Sequence, residues 1–138
     1  MTRLVASVVI VQDGQVLLQL KRFGIWSLPG GLVEEDESVA QAAVREGREE
    51  TGLELCLERL VGVNSRGDDL HAVVFASRAV GGHLQIDEDE VWDLRYFDPD
   101  DLPDTLPPEM AIQIEATMAG VGGGMVWSAG TPWPFETG

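Results

Sequence analysis

The sequence has few of the residues that mark several large classes of protein. Its single cysteine, Cys56, excludes an intramolecular disulfide, and with no partner Cys or His nearby we expect a small packed residue. The two histidines, His71 and His83, lack metal-ligand spacing. No run approaches the ~20 apolar residues of a transmembrane helix, and the first residues show no signal-peptide pattern. These absences predict a cytoplasmic protein with no membrane partner.

Positive charge is also scarce. The chain has 9 Lys and Arg against 24 Asp and Glu, a formal net charge of −15. Surfaces that bind nucleic acid are generally basic, so we expect no nucleic-acid partner. A small phosphate-bearing substrate remains possible where metal ions screen the acidic groups. With 138 residues and 44% hydrophobic content, the chain is predicted to form one domain with a core.

One helix is predicted from its end signals. Ser38 followed by Gln41 fits a capping box, and Gly52 suits the C-terminal end, so the helix should run from Val39 to Thr51.

Three carboxylates fall on the last two turns of this helix. Glu46 lies three residues before Glu49 and four before Glu50, which makes them neighbours on the helix surface. Such like-charge pairs cost a helix about 0.2–0.5 kcal/mol each. A hard divalent cation held by the carboxylate oxygens would offset that cost and could activate water against a phosphate.

The stretch Gly31 to Leu53 carries glycine, glutamate and arginine at fixed spacing. Gly31 is followed by five residues and Glu37, then by seven residues and the run Arg45 to Leu53, REGREETGL. This stretch resembles the Nudix box, Gly-x5-Glu-x7-Arg-Glu-U-x-Glu-Glu-x-Gly-U, where U is a bulky aliphatic residue. A solvated glutamate-rich helix would explain the charge but not the glycines or the spacing. Gly47 departs from the pattern at the first U position.

The resemblance implies a fold and a reaction. The fold would be α+β, the Nudix fold, an α/β/α sandwich with a mixed sheet between helices, in a domain of residues 1–120. The reaction would be a pyrophosphohydrolase reaction, dependent on Mg²⁺ or Mn²⁺, that cleaves the phosphoanhydride of a nucleoside diphosphate linked to another group. The small-molecule substrate would be a nucleoside triphosphate, ADP-ribose, a nucleotide sugar or a dinucleoside polyphosphate. A non-catalytic nucleotide-binding or protein-binding module of the same fold is the alternative.

The resemblance also implies which residues act. Glu46 and Glu50 would bind the metal, Glu49 would bind it or assist catalysis, and the Gly31 carbonyl would be a further ligand. Arg45 would be one of the catalytic residues. We expect its guanidinium to bind the carboxylate of Glu37, and this bridge would fix the loop against the helix.

The general base is expected outside the box, because many Nudix enzymes place another glutamate on a loop before a late strand. Glu90 is preferred over Glu88 from its spacing to Tyr96. A solvated acidic turn is the competing interpretation.

Three residues before the box are candidates for substrate binding. Trp26 lies in the segment Trp-Ser-Leu-Pro-Gly-Gly, which is typical of Nudix proteins. Its ring could stack on a nucleobase or pack beneath the loop. Lys21 and Arg22 could contact phosphate, or could be solvent-facing charges at a strand end.

Alternation of apolar and polar residues predicts the remaining elements. The predicted strands are 3–11, 15–21, 53–63, 70–80, 84–86 and 91–97, and a second helix is predicted at 108–119. The tail, residues 121–138, is glycine-rich and then aromatic, so we expect it to pack on the domain or on a second subunit of a homodimer.

Overall fold

A mixed β-sheet between two helices forms the body of the molecule. The computed structural model describes residues 2–67, 69–86 and 89–122, together with the backbone of residues 124–127. The strands are β1 (Arg3–Gln12), β2 (Gln15–Lys21), β3 (Ile25–Ser27), β4 (Gly30–Leu32), β5 (Leu53–Arg66), β6 (Leu70–Gly82), β7 (Asp93–Phe97) and β8 (Gly124–Trp127). The helices are α1 (Val39–Thr51) and α2 (Pro108–Ala119). The predicted α+β sandwich is confirmed.

Strand β1 lies at the centre of the sheet. It pairs in parallel with β6, where Ser7 faces Val74, and antiparallel with the short strand β4, where Ser7 faces Gly30. The far end of β1 forms an antiparallel hairpin with β2. Asp13 and Gly14, with φ of 51° and 77°, supply the turn whose twist suits a two-residue hairpin.

Helix α1 begins and ends where the end signals predict. The hydroxyl of Ser38 accepts a hydrogen bond from the backbone N–H of Gln41, and the side-chain Oε1 of Gln41 accepts one from the backbone N–H of Ser38. Gly52 ends the helix at φ 80°, and its N–H donates to the Arg48 carbonyl. Capping therefore fixes the position of the acidic last turns.

The main departures from the predicted strands concern residues 64–66 and 84–86. Strand β5 continues to Arg66 instead of ending at residue 63, because residues 64–66 keep pairing with β6. The predicted strand 84–86 is absent, since the Gln85 N–H donates to the carbonyl of Thr51 at the end of α1 rather than to a strand.

Each helix covers one face of the sheet. On one face, Ala42 and Ala43 of α1 pack with Val8 and other residues of β1, β2 and β5. On the other, Ile114 and Ala116 of α2 pack with Val9, Leu18 and Val74. Side chains that alternate along β1 and β2 thus enter different cores.

Cys56 is exposed on β5, which corrects the expectation of a packed residue. It follows Leu55, which is buried, on a strand whose side chains alternate between the two faces. Within the described ranges, no helix is long and apolar enough to cross a membrane. Glu88 and most of the aromatic tail lie outside the described residues.

Candidate functional site

The three carboxylates of α1 differ sharply in exposure. The side chain of Glu50 is 2% exposed, that of Glu46 15% and that of Glu49 56%. All three lie on the last two turns of α1, next to the edge strand β4. The site therefore runs from a buried carboxylate to one that reaches solvent.

Glu50 is held beneath β4 by two groups. Its Oε1 accepts from the Gly30 backbone N–H at 3.0 Å, and its Oε2 lies 3.4 Å from Lys21 Nζ. Oε2 has no hydrogen-bond partner in the described part of the chain. Burial raises the pKa of Glu50 to about 7, while Lys21 and the Gly30 amide oppose that rise.

Arg45 forms hydrogen bonds with three other carboxylates, those of Glu37, Glu46 and Glu49. Its guanidinium donates through Nε and Nη2 to both oxygens of Glu37, at 2.8 and 3.0 Å, which is the predicted bridge. Nη1 donates to Glu46 at 2.7 Å and to Glu49 at 3.3 Å, and Nη2 also donates to the Leu32 carbonyl. The bond to Arg45 lowers the pKa of Glu37, and in turn raises that of Arg45. One arginine thus ties loop, helix and β4 together.

Two observations fit a divalent cation at this site. Glu50 Oε2 is a buried carboxylate oxygen that has no hydrogen bond in the described part of the chain and faces the ammonium group of Lys21 at 3.4 Å, a position that a divalent cation could take. At Gly31, a Cβ would collide with the carboxyl carbon of Glu46 and lie 2.6 Å from its oxygens, so any other residue there would displace this flexible carboxylate from the backbone of β4. As the side chains lie, no three His, Cys, Asp or Glu residues of the described ranges converge on one point. The carboxylates are turned instead toward Arg45 and Lys21.

Glu90 lies beside the cluster. Together with Glu49, Arg48 and Gly52 it lines an open cleft of about 620 Å³ at the end of α1. The structure thus brings the predicted base candidate and the exposed carboxylate of α1 into one cleft. The competing candidate, Glu88, falls outside the described residues.

The substrate-binding candidates are placed differently from one another. Lys21 reaches Glu50, whereas Arg22 is exposed in a tight turn next to Phe23, which is 90% exposed. Trp26 packs against the α2-side core, with its ring 4.9 Å from Phe97 and Arg95 over its face at 5.4 Å. These contacts favour the packing alternative for Trp26.

Backbone groups are the part of the site that residue patterns did not reveal. The Gly30 N–H and the Leu32 carbonyl bind Glu50 and Arg45, respectively. The sequence pointed to the Gly31 carbonyl alone, and only the fold shows that the backbone of β4 lies against α1.

The chain is similar in sequence and in fold to known proteins of one family. Residues 1–118 match the model of the NUDIX domain. An ADP-ribose pyrophosphatase of Methanocaldococcus jannaschii is 36% identical over 69% of this chain and 61% of its own length. A CTP pyrophosphohydrolase of Escherichia coli is 37% identical over 64% of this chain and 73% of its own. The crystal structure of a MutT NUDIX hydrolase from Burkholderia pseudomallei is similar with a TM-score of 0.74 and 33% identity, covering 83% of this chain and 97% of that one.

Proposed function

The chain belongs to the Nudix family and is a hydrolase of phosphoanhydride bonds, and we propose that its substrate is a nucleoside diphosphate linked to another group. The observation that carries the proposal is the carboxylate set of α1, with Glu50 buried against the Gly30 amide. Relatives named for ADP-ribose and for CTP cleavage act on substrates of this class.

A divalent cation, Mg²⁺ or Mn²⁺, is the proposed cofactor. The carboxylates of Glu46, Glu49 and Glu50 and the carbonyl of Gly31 would hold it. When bound, such a cation polarises a phosphoryl oxygen and lowers the pKa of water.

The side chains of the protein itself would position the metal ligands and the substrate and would accept a proton from water. Arg45 keeps Glu46 and Glu49 in place, while the bridge to Glu37 holds the arginine itself. Glu49 and Glu90 both face the open cleft, and one of them would take the proton from the attacking water. Lys21 and Arg22 would contact the substrate phosphates, for which Lys21 must leave Glu50.

A substrate panel tests this function. Nucleoside triphosphates, ADP-ribose, nucleotide sugars and dinucleoside polyphosphates are each incubated with Mg²⁺ or Mn²⁺, and the products are separated. We expect metal-dependent cleavage of at least one of them, with loss of turnover in Glu50→Gln and unchanged turnover in Glu35→Gln, an exposed loop position. Full activity in Glu50→Gln, or no turnover on the whole panel, would count against the proposal and favour a binding module.

The absence of a nucleic-acid partner, the homodimer and the cytoplasmic location stay predictions. One relative is named as an NAD-capped RNA hydrolase, so capped RNA belongs in the panel as a check on the expected absence of a nucleic-acid partner. The proposed homodimer is tested by light scattering, and the cytoplasmic location by fractionation of the native cell.

A further inference from the structure

Lys21 stands apart from the other basic residues of the chain. Of the 9 Lys and Arg residues, it is the only lysine. It is the last residue of β2, and its Nζ lies 3.4 Å from Oε2 of Glu50. Glu50 is the one buried carboxylate in the described part of the chain, and it has no other ion pair there. The single lysine is therefore the counter-ion of the buried carboxylate.

The two partners of this ion pair differ in their freedom to move. The Glu50 side chain is 2% exposed, and its Oε1 is fixed by the Gly30 N–H at 3.0 Å. The Lys21 side chain is 38% exposed and has a flexible four-carbon stem. Within the described ranges, its ammonium group forms no second ion pair. Glu50 is thus held in place, whereas Lys21 can move toward solvent without breaking another ion pair.

An ammonium group suits a position that a metal ion takes over. Like a metal ion, it is a compact and strongly hydrated point charge, whereas a guanidinium group binds a carboxylate through a planar fork. A divalent cation carries two charges, so at equal distance it attracts a carboxylate about twice as strongly as an ammonium group does. Arg45, by contrast, is fixed by two bonds to Glu37 and one to Glu46. The acidic cluster thus contains one fixed cation and one that can exchange.

The ion pair links the binding of metal to the binding of phosphate. A phosphate that drew Lys21 away in the metal-free protein would leave the charge of Glu50 buried without a partner, which is unfavourable. A cation bound to Glu50 alone would leave the ammonium group without a partner. With both ligands bound, the pair is broken once, and Glu50 and Lys21 each have a new partner. Each ligand should therefore raise the affinity of the protein for the other.

We propose that Lys21 takes the place of the divalent cation at Glu50 in the metal-free protein, and that metal binding releases it to bind a phosphate group of the substrate. The assignment rests on the proposed function, and it makes Lys21 the residue that couples metal binding to phosphate binding. The metal-free protein then binds phosphate weakly, and the substrate is held where the metal is already present.

The single lysine gives a direct probe, since a chain labelled with ¹³Cε-lysine has one lysine signal in the NMR spectrum. MgCl₂ is titrated into the full metal-free chain, and inorganic phosphate is added after saturation. We expect the signal to shift over the Mg²⁺ concentrations at which calorimetry detects binding, and to shift again with phosphate. In Glu50→Gln the signal should start close to its Mg²⁺-saturated position and should not respond to MgCl₂.

Variants of Lys21 should change Mg²⁺ affinity in opposite directions, as measured by calorimetry. Lys21→Met should bind Mg²⁺ about tenfold more tightly than the wild type, because no ammonium group has to be displaced. Lys21→Arg should bind it more weakly, because the guanidinium fork holds a carboxylate more strongly. Arg78→Met removes the same charge at an exposed position on β6, where solvent and salt screen it, and should bind Mg²⁺ as the wild type does. Circular dichroism checks folding, and Lys21→Arg keeps the test decisive if Lys21→Met does not fold.

Phosphate binding measures the other side of the coupling. The Kd of inorganic phosphate is determined by ³¹P NMR in EDTA and in MgCl₂. A bound cation attracts phosphate in every variant, so the informative quantity is the ratio of the two constants. We expect this ratio to be about tenfold larger in the wild type and in Arg78→Met than in Lys21→Met.

The outcomes separate this inference from the proposed function. A lysine signal that ignores Mg²⁺ while calorimetry detects binding overturns the inference and leaves the proposed function standing. Unchanged or weaker Mg²⁺ binding by Lys21→Met, or equal phosphate ratios in this variant and the wild type, overturns it as well. Absence of Mg²⁺ binding overturns both. Displacement of Lys21 by Mg²⁺ without cleavage of any anhydride supports the inference and contradicts the proposed function.

Discussion

At the scale of single residues, Glu50 carries a charge where the protein offers little water. A carboxyl with a folded-state pKa raised from 4.5 to about 7 favours the folded state only while it is protonated. Its contribution is fully present below about pH 4.5 and is lost as the pH rises through 7. The metal-free protein should therefore lose stability between these two values.

Glu50→Gln removes this buried charge. We expect the variant to be more stable than the wild type at pH 8 in EDTA, by on the order of 1–3 kcal/mol, with a smaller difference at pH 5. Thermal denaturation at both pH values measures the effect, and Glu35→Gln is the control at an exposed position. Equal melting temperatures for variant and wild type at pH 8 would show that Lys21 fully compensates the charge.

Gly47, which departs from the family pattern, is closely packed against β5. A Cβ at this position would collide with Cδ1 of Leu55, a buried side chain of β5. Overpacking typically costs about 1–3 kcal/mol, and replacing a mid-helix glycine by alanine returns about 1 kcal/mol. The collision is therefore expected to outweigh the gain in helix propensity.

Gly47→Ala should accordingly lower the free energy of unfolding by about 1 kcal/mol. Urea denaturation measures the change. The double variant Gly47→Ala/Leu55→Val provides the matched test, because shortening Leu55 should make the alanine harmless or favourable. A higher stability for Gly47→Ala alone would mean that Leu55 moves aside without loss.

At the scale of elements, Arg45 joins three segments. Its guanidinium binds Glu37 in the loop before α1, Glu46 on α1 and the Leu32 carbonyl of β4. Arg45→Lys keeps the charge but cannot bind Glu37 through two parallel bonds while also reaching Glu46 and Glu49. We expect metal affinity to fall about 10–100-fold, as is usual when a group that orients ligands is lost. Calorimetric titration with Mn²⁺ measures this, and Arg78→Lys, an exposed position on β6, should bind as the wild type does.

Local signals predicted the elements that are stabilised locally. Both ends of α1 follow from Ser38, Gln41 and Gly52, and the β1–β2 hairpin follows from Asp13 and Gly14. Residues 64–66 and 84–86 were misassigned because distant partners decide their structure. The glutamates of the site were readable from their spacing, whereas the burial of Glu50 depends on Gly30, twenty residues away. The bond between Asn64 and Gln113, which are 49 positions apart in the chain, could not be predicted from the sequence.

At the scale of the whole molecule, the sheet depends on pairing between distant segments. β1 pairs with β6 from Arg3 opposite Leu70 to Ile10 opposite Ser77, so each pair joins residues 67 positions apart and its formation carries the entropy cost of closing a long loop. Folds dominated by such pairings refold in about milliseconds to seconds. We therefore expect refolding from urea, followed by stopped-flow tryptophan fluorescence, on that timescale; a microsecond phase carrying the full amplitude would contradict it.

The central position of β1 also has a consequence for the order of synthesis. This apolar strand is synthesised before β6, which follows only after several seconds at about 5–20 residues per second. Until then β1 has only β2 and β4 to pair with, and one edge of its backbone stays open to other chains. We therefore expect the nascent chain to be most prone to aggregation in the interval when β1 has been synthesised and β6 has not.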